Sequence, residues 1–152
     1  MRSGSLPQRV YVTKRFAFEM AHALTGHDGA CAGLHGHSYV LDITLVGVPR
    51  NEPGHPKDGM VMDFADLKRI VQHGVLDRYD HALVLNEVER GKTVLHDALF
   101  ARTIFAHWQP TCENLLLEMV DRIRMEVPEG VRLKAARLQE TATSWAEWEE
   151  GL

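Results

Sequence analysis

Arg9 to Ala21, R-V-Y-V-T-K-R-F-A-F-E-M-A, is the stretch on which the fold class turns. Val10, Val12, Phe16, Phe18 and Met20 share one parity, and Arg9, Thr13, Arg15 and Glu19 share the other. Side chains of a strand point alternately to its two faces, so this pattern predicts a half-buried strand of period two. His22 keeps the parity of Phe18 and Met20 and so continues the inward face. Thr25 to Leu34 is rich in glycine and small residues and reads as a loop. His35 to Val48 then alternates again, with His35, His37, Tyr39, Leu41, Ile43 and Leu45 on one parity against Ser38, Asp42 and Thr44.

Outward from these two strands the pattern changes. Pro49 to Gly59 holds three of the six prolines and two glycines, a hairpin-like excursion or surface loop. Asp63 to Leu76 has helical spacing: Phe64, Leu67, Ile70, Val71 and Val75 fall on one face, with Asp63 as N-cap and Asp66 three residues on, resembling a capping box. Asn86 to Gln109 is ambiguous, and a helix is expected over Val94 to Trp108. Thr111 is the natural N-cap of a second clear helix running to about Glu126, with Leu116, Met119, Val120, Ile123 and Val127 at helical spacing. Val131 to Glu140 and Thr143 to Glu149 read as two closing strands. Strands grouped at both ends around helices imply an α+β fold, its helices packed on one face of an antiparallel sheet.

At 152 residues the chain suits one domain, residues 9–152, after a loose tail over residues 1–8. It is too short for a TIM barrel of about 250 residues, which sets aside a metal hydrolase of the H-x-H barrel type. With 45% hydrophobic and 25% charged residues it is not a disordered chain. No apolar run approaches the ~20 residues of a membrane helix, and the tail lacks the apolar core of a secretory signal, so no membrane partner is expected. A formal charge of -4 without a Lys/Arg-dense stretch argues against nucleic acid as a partner. Two cysteines, Cys31 and Cys112, make no disulfide framework, and a cytoplasmic setting is the default expectation.

Histidine carries the chemistry. Of nine, His22, His27, His35 and His37 fall close together around Cys31. Residues i and i+2 of a strand lie about 6.5–7 Å apart on one face, so His35 and His37 can converge on one ion. If the strand before pairs antiparallel, His22 joins them. An isolated H-x-H is commonly a surface pair; a third imidazole on a matching inward face favours ligation. Three protein ligands with an open position are the pattern of a catalytic Zn2+, although Fe or Ni fits the same ligand type. His27, in the loop, is the alternative third ligand.

Other groups stand near or converge in sequence. A loop thiol at Cys31 beside a dication can exist as thiolate and serve as base or nucleophile. Asp80-His81 pairs a carboxylate with an imidazole, an arrangement suited to proton relay. Glu140, ending a strand, can accept two N–H bonds from a guanidine-like ring edge, or simply be a solvated strand end. Cys112 sits in the first turn of a helix, where the dipole lowers a thiol pKa, but nothing in the sequence converges on it and it reads as structural.

Six motifs occur in order: F-x-F-E-x-A-H at Phe16–His22, C-x3-H-G-H at Cys31–His37, M-D-F-x-x-L-K at Met62–Lys68, D-H at Asp80–His81, P-T-x-E-N-L at Pro110–Leu115 and E-T-x-T-S at Glu140–Ser144. Together they resemble the 6-pyruvoyltetrahydropterin synthase/6-carboxytetrahydropterin synthase family over the whole chain after the tail. The resemblance implies the tunnelling fold (T-fold), a four-stranded antiparallel sheet with two helices on one face. It also implies trimers stacked as a homo-hexamer, with sites formed between subunits. The implied substrate is 7,8-dihydroneopterin triphosphate. His22, His35 and His37 would bind Zn2+, Cys31 would be the base, Asp80 and His81 the relay, and Glu140 with Thr111 would hold the pterin. The C-x3-H-G-H spacing resembles the carboxy-forming branch, which feeds 7-deazaguanine (queuosine) biosynthesis and releases acetaldehyde and triphosphate. The alternatives are a pyruvoyl-forming synthase, whose spacing is C-x5-H-G-H, and a pterin- or metal-binding T-fold protein without turnover. Ala23 and Gly33 stand where relatives carry basic residues, Cys112 replaces a serine, and the 86–109 connection is longer than usual. Lys14, Arg15 and Lys68 are candidate phosphate contacts.

Overall fold

The computed structural model describes residues 6–92 and 98–152. β1 (Val10–His22) and β2 (His35–Gly47) pair antiparallel without interruption, from Val10 opposite Gly47 to His22 opposite His35. A single register over this length follows from two matched alternations, since a one-residue slip would turn every inward side chain to solvent. β5 (Val131–Thr141) continues the sheet antiparallel to β2, and β6 (Ser144–Glu149) closes it antiparallel to β5.

The sheet has six strands, in the order β4-β3-β1-β2-β5-β6, rather than four. β3 (Ala82–Asn86) runs parallel to the end of β1, and β4 (Thr103–Ala106) parallel to β3. The helix expected over Val94 to Trp108 is therefore corrected. Val94 to Asp97 lie outside the described residues, Ala98–Phe100 form one 3-10 turn, and the rest includes strand β4. The β-branched and aromatic run Thr103-Ile104-Phe105 suits a pleated surface, and the ladder to β3 overrides the weak helical spacing.

The helices cover one face. α1 (Phe64–Val71), a π turn (Gln72–Leu76) and the short α2 (Asp77–Tyr79) form one rod, and α3 (Cys112–Glu126) lies beside it. The rod outruns its expected end at Leu76. Leu67, Val71, Val75 and Tyr79 are fully buried and recur every four residues. An α-helix of 3.6 residues per turn rotates such a stripe by about 40° at each step, and the wider π turn brings it back toward the sheet. Phe64, expected on the inner face, is exposed. Asp63 caps α1 through Ala65 N–H at 2.8 Å, while Asp66 pairs with Lys57 and Arg69 instead of closing a capping box.

The core joins Phe16, Phe18, Tyr39, Leu41, Ile43 and Leu45 to the rod, to Leu115, Met119 and Ile123 of α3, and to Leu138. Leu133, Ala136 and Leu138 are all buried although their parity changes. A bulge opposite Thr44/Leu45 absorbs the extra residue.

Candidate metal centre

β1 and β2 meet at their ends with His22 opposite His35, and His37 two residues further along β2 on the same face. All three rings pack edge to face, their centroids 4.5 to 5.1 Å apart. One nitrogen from each lies within 4.8 Å of the others. Gly36 makes this convergence tight: a Cβ there would stand 3.3 Å from the Met20 carbonyl oxygen of β1.

Hydrogen bonding fixes which nitrogens are free. His22 Nδ1 lies 2.6 Å from the Pro110 carbonyl and His35 Nδ1 2.7 Å from the Gly33 carbonyl. A carbonyl only accepts, so each Nδ1 carries the proton and each Nε2 a lone pair. The two Nε2 atoms then face each other at 3.0 Å, two lone pairs that a bound cation would satisfy. His37 Nε2 is buried and without a hydrogen-bond partner among the described residues. Burial, ahead of every other cause, lowers the His22 pKa and keeps that ring neutral, the form that ligates. The donor set and the orphaned nitrogen fit a bound metal. His27 is not part of the cluster; its Nδ1 is 3.7 Å from Asp28.

Glu140 stands beside the triad. Its Oε1 is 3.8 Å from His37 Nε2, and its Oε2 accepts from the Tyr39 hydroxyl at 3.4 Å. Burial first, then the Glu140 charge, raises the Tyr39 pKa and keeps that phenol a donor. Cys112 packs nearby with Sγ 3.3 Å from the Leu138 carbonyl. Burial, then Glu140, pushes its thiol up to about 11, so the helix dipole does not prevail there. Thr111 caps α3 by accepting Asn114 N–H at 3.3 Å.

Cys31 lies half-buried in the short turn Ala30–Ala32, its carbonyl accepting Leu24 N–H at 3.0 Å. Asp80 and His81 sit at the start of β3, His81 Nδ1 2.9 Å from Asp80 Oδ1. With Glu19, Gly36 and Ser38, His81 lines a cavity of about 350 Å3. Glu19, Gly36 and Ser38 have the parity opposite to the triad, while Met20 and His37 of the triad's own parity also line this cavity. Among the described residues, no hydrogen bond or ion pair joins Cys31, Asp80 or His81 to the three histidines. Of the suggested phosphate contacts, Arg15 is committed to Asp42 through two bonds of 2.8 and 2.9 Å.

Several positioning groups carried no sequence signal. The Pro110 and Gly33 carbonyls are backbone. Gln109 clamps the loop before Cys31, its amide accepting Thr25 N–H at 3.2 Å and donating to Thr25 C=O at 2.6 Å, while Thr25 also donates to Glu89 at 2.9 Å.

Residues 11–151 match the profile described as 6-pyruvoyl tetrahydropterin synthase. The chain belongs to that family. It is 37% identical over 142 residues to the 6-carboxy-5,6,7,8-tetrahydropterin synthase of Haemophilus influenzae, covering 91% of this chain and 98% of the relative. The protein of that name from Aquifex aeolicus is 31% identical over 163 residues, covering 91% and 97%. Among solved structures, the 6-pyruvoyl tetrahydropterin synthase of Caenorhabditis elegans superposes with a TM-score of 0.68 at 23% identity, covering 95% of this chain and 97% of that one. The fold is thus the T-fold, with two parallel strands added at one edge.

Proposed function

We propose that the protein is a zinc-dependent lyase converting 7,8-dihydroneopterin triphosphate to 6-carboxy-5,6,7,8-tetrahydropterin, acetaldehyde and triphosphate. The observation that carries the reading is the Glu140 carboxylate 3.8 Å from a ring of the three-histidine cluster. A carboxylate at that place suits the amino group and ring N–H of a pterin, and brings its side chain to the metal centre. The C-x3-H-G-H spacing and the names of the relatives favour the carboxy product.

His22, His35 and His37 would hold Zn2+, which as a Lewis acid lowers the energy of charge developing on the side-chain oxygens. Cys31, as thiolate, removes the carbon-bound proton of the side chain next to the ring. Asp80 keeps the proton on His81 Nδ1, leaving Nε2 to exchange a proton with a substrate hydroxyl. The electron pair left by the broken C–H bond moves into the ring's C=N bond, which takes up a proton, so the ring is reduced without a nicotinamide. Triphosphate then leaves with the C–O bonding pair as a second side-chain proton is lost. Cleavage of the side chain then releases acetaldehyde. The carboxylate needs one oxygen more than the substrate hydroxyl supplies, so one water is consumed. Glu140, with Thr111 beside it, anchors the pterin.

The reading includes a homo-hexamer built from trimers, a cytoplasmic setting and a place in 7-deazaguanine (queuosine) formation. Support for assembly comes from the sheet. Val10 to Phe18 of β1 pair only with β2, β6 pairs only with β5 and β4 only with β3, which leaves these edges free of strand partners among the described residues. Arg15, Asp42, Arg137 and Glu147 form one row of alternating charge across β1, β2, β5 and β6. A copy set edge to edge continues the row with Glu147 facing Arg15 and keeps the strands antiparallel. No helix among the described residues is long and apolar enough to cross a membrane.

Zinc-loaded protein incubated with dihydroneopterin triphosphate is expected to give a pterin bearing one side-chain carbon, with acetaldehyde and triphosphate in equal amounts. A pterin retaining three side-chain carbons, with no acetaldehyde, would place the chain in the pyruvoyl-forming branch. Binding without triphosphate release would reduce it to a binding protein.

A further inference from the structure

His81 adopts φ +61, a left-handed conformation that side-chain-bearing residues rarely hold, and it is the one non-glycine residue to do so among those described. The peptide unit joining Asp80 to His81 sets that conformation, and it is gripped from both sides. Its N–H donates to the Glu19 carbonyl of β1 at 2.6 Å. Its C=O accepts from Arg102 Nη2 at 2.9 Å. The same Nη2 donates to the Asp77 carbonyl at 3.2 Å, one of the acceptors left without an intrahelical partner where the rod ends. Arg102 is itself fastened to β3, its carbonyl accepting Leu83 N–H at 3.1 Å. On the other side, Asp80 Oδ1 accepts Glu19 N–H at 3.0 Å while it holds His81 Nδ1.

We propose that Arg102 is a positioning residue for the Asp80–His81 pair, and that this is what the long connection between β3 and β4 contributes to the site. The guanidinium touches neither ring nor substrate. It holds the end of the rod and the peptide unit before His81 in one frame, so that Asp80 meets Nδ1 while His81 lines the cavity with Glu19 and Ser38. A charged donor on two carbonyls makes stronger bonds than water does at the same place. Replacing Arg102 by a neutral side chain of similar length frees the peptide unit to turn toward right-handed conformations, and the Asp80–His81 bond then forms only part of the time. This rests on reading Asp80–His81 as the proton relay.

Two variants and two readouts test it. In Arg102→Met, kcat for the pterin triphosphate should fall about tenfold with KM within about twofold and zinc per chain unchanged, because orientation at the relay is lost and binding is not. Arg102→Lys, which keeps a charged donor, should recover most of that loss. Nitrogen-15 spectra of the histidine rings, which need no substrate, should show His81 fixed with its proton on Nδ1 in the parent and averaged between tautomers in Arg102→Met. Parent-like kcat and a parent-like His81 ring in Arg102→Met overturn the proposal. So does a variant that loses zinc and thermal stability together, which would make Arg102 a general staple. If the parent itself does not turn over the triphosphate, the functional reading fails, and the ring spectra alone decide the role of Arg102.

Discussion

Cys31 and Cys112 differ in what surrounds their sulfur. Cys112 is packed between α3 and β5 beside the Glu140 carboxylate, and its thiol is pushed up to about 11. At pH 8 roughly one part in a thousand is then thiolate, so alkylation should be slow there and rise about tenfold with each pH unit up to about pH 11. Cys31 stands in a turn open to solvent on one side. Cys31→Ala should keep zinc and bind substrate, yet lose turnover by about a hundredfold or more, the usual contribution of a positioned base. Cys112→Ser should remain active. Mass spectrometry of alkylated peptides over a pH series, beside turnover of both variants, checks the pair, and preferential labelling of Cys112 at pH 8 would reverse the assignment. Glu140 is the other decisive residue. Glu140→Gln exchanges an acceptor oxygen for a donor and removes the charge. A hydrogen bond to a charged group is worth roughly 1.5–3 kcal/mol, so pterin affinity should fall about tenfold to a hundredfold. Titration calorimetry with a non-reacting pterin measures it, and unchanged affinity would remove Glu140 from the pterin site.

The elements explain which parts of the fold were legible in the residues. β1 and β2 were, because alternation is local and both strands are long; the same parity put His22, His35 and His37 on one face, and that face is where they meet. β4 was not, because four residues are too few for a period and its only ladder is to β3, itself a late addition at the sheet edge. The π turn was hidden for a different reason: a stripe recurring every four residues resembles a helix period until the drift over three steps is counted. Around the site, side chains announced themselves and backbone did not. Pro110 C=O and Gly33 C=O, which settle two imidazole tautomers, have no residue-type signature, and Arg102 finds its carbonyls 22 and 25 residues away. The β1–β2 seam offers an element-scale test. In Gly36→Ala the new methyl would meet the Met20 carbonyl oxygen at 3.3 Å, and backbone cannot swing aside as a side chain can. The strands must part by a few tenths of an ångström between His35 and His37. Stability should drop by about 1 kcal/mol, and zinc affinity by about tenfold or more, the scale of losses when ligand orientation is disturbed. Competition with a chromogenic chelator reads the affinity, and a value equal to the parent's would show that the triad does not depend on this close approach.

At the scale of the whole molecule the two halves of the chemistry are not joined within one chain: among the described residues, no hydrogen bond or ion pair links His81 to the triad. The metal triad and Glu140 cluster on the helix-covered face, while His81, held by Asp80, lines a cavity with Glu19, Ser38 and His37. In the proposed ring of chains, a neighbour seated on a free edge would carry its own relay toward the next triad. In that assembly the charge row of Arg15, Asp42, Arg137 and Glu147 would set the register of such a seat. Closed assemblies of this head-to-tail kind make a quantitative prediction. Cys31→Ala and His81→Ala proteins, each nearly inactive alone, should regain activity when unfolded or dissociated together and reassembled. If each site takes Cys31 from one chain and His81 from another, equal mixing at random leaves about a quarter of the sites with both groups intact. If both groups come from one chain, every chain in the mixture lacks one of them and no activity returns. Reassembled mixtures at several ratios should follow the product of the two fractions, with a maximum at equal amounts. A flat, inactive series from correctly assembled, zinc-loaded mixtures would place the whole relay within a single chain.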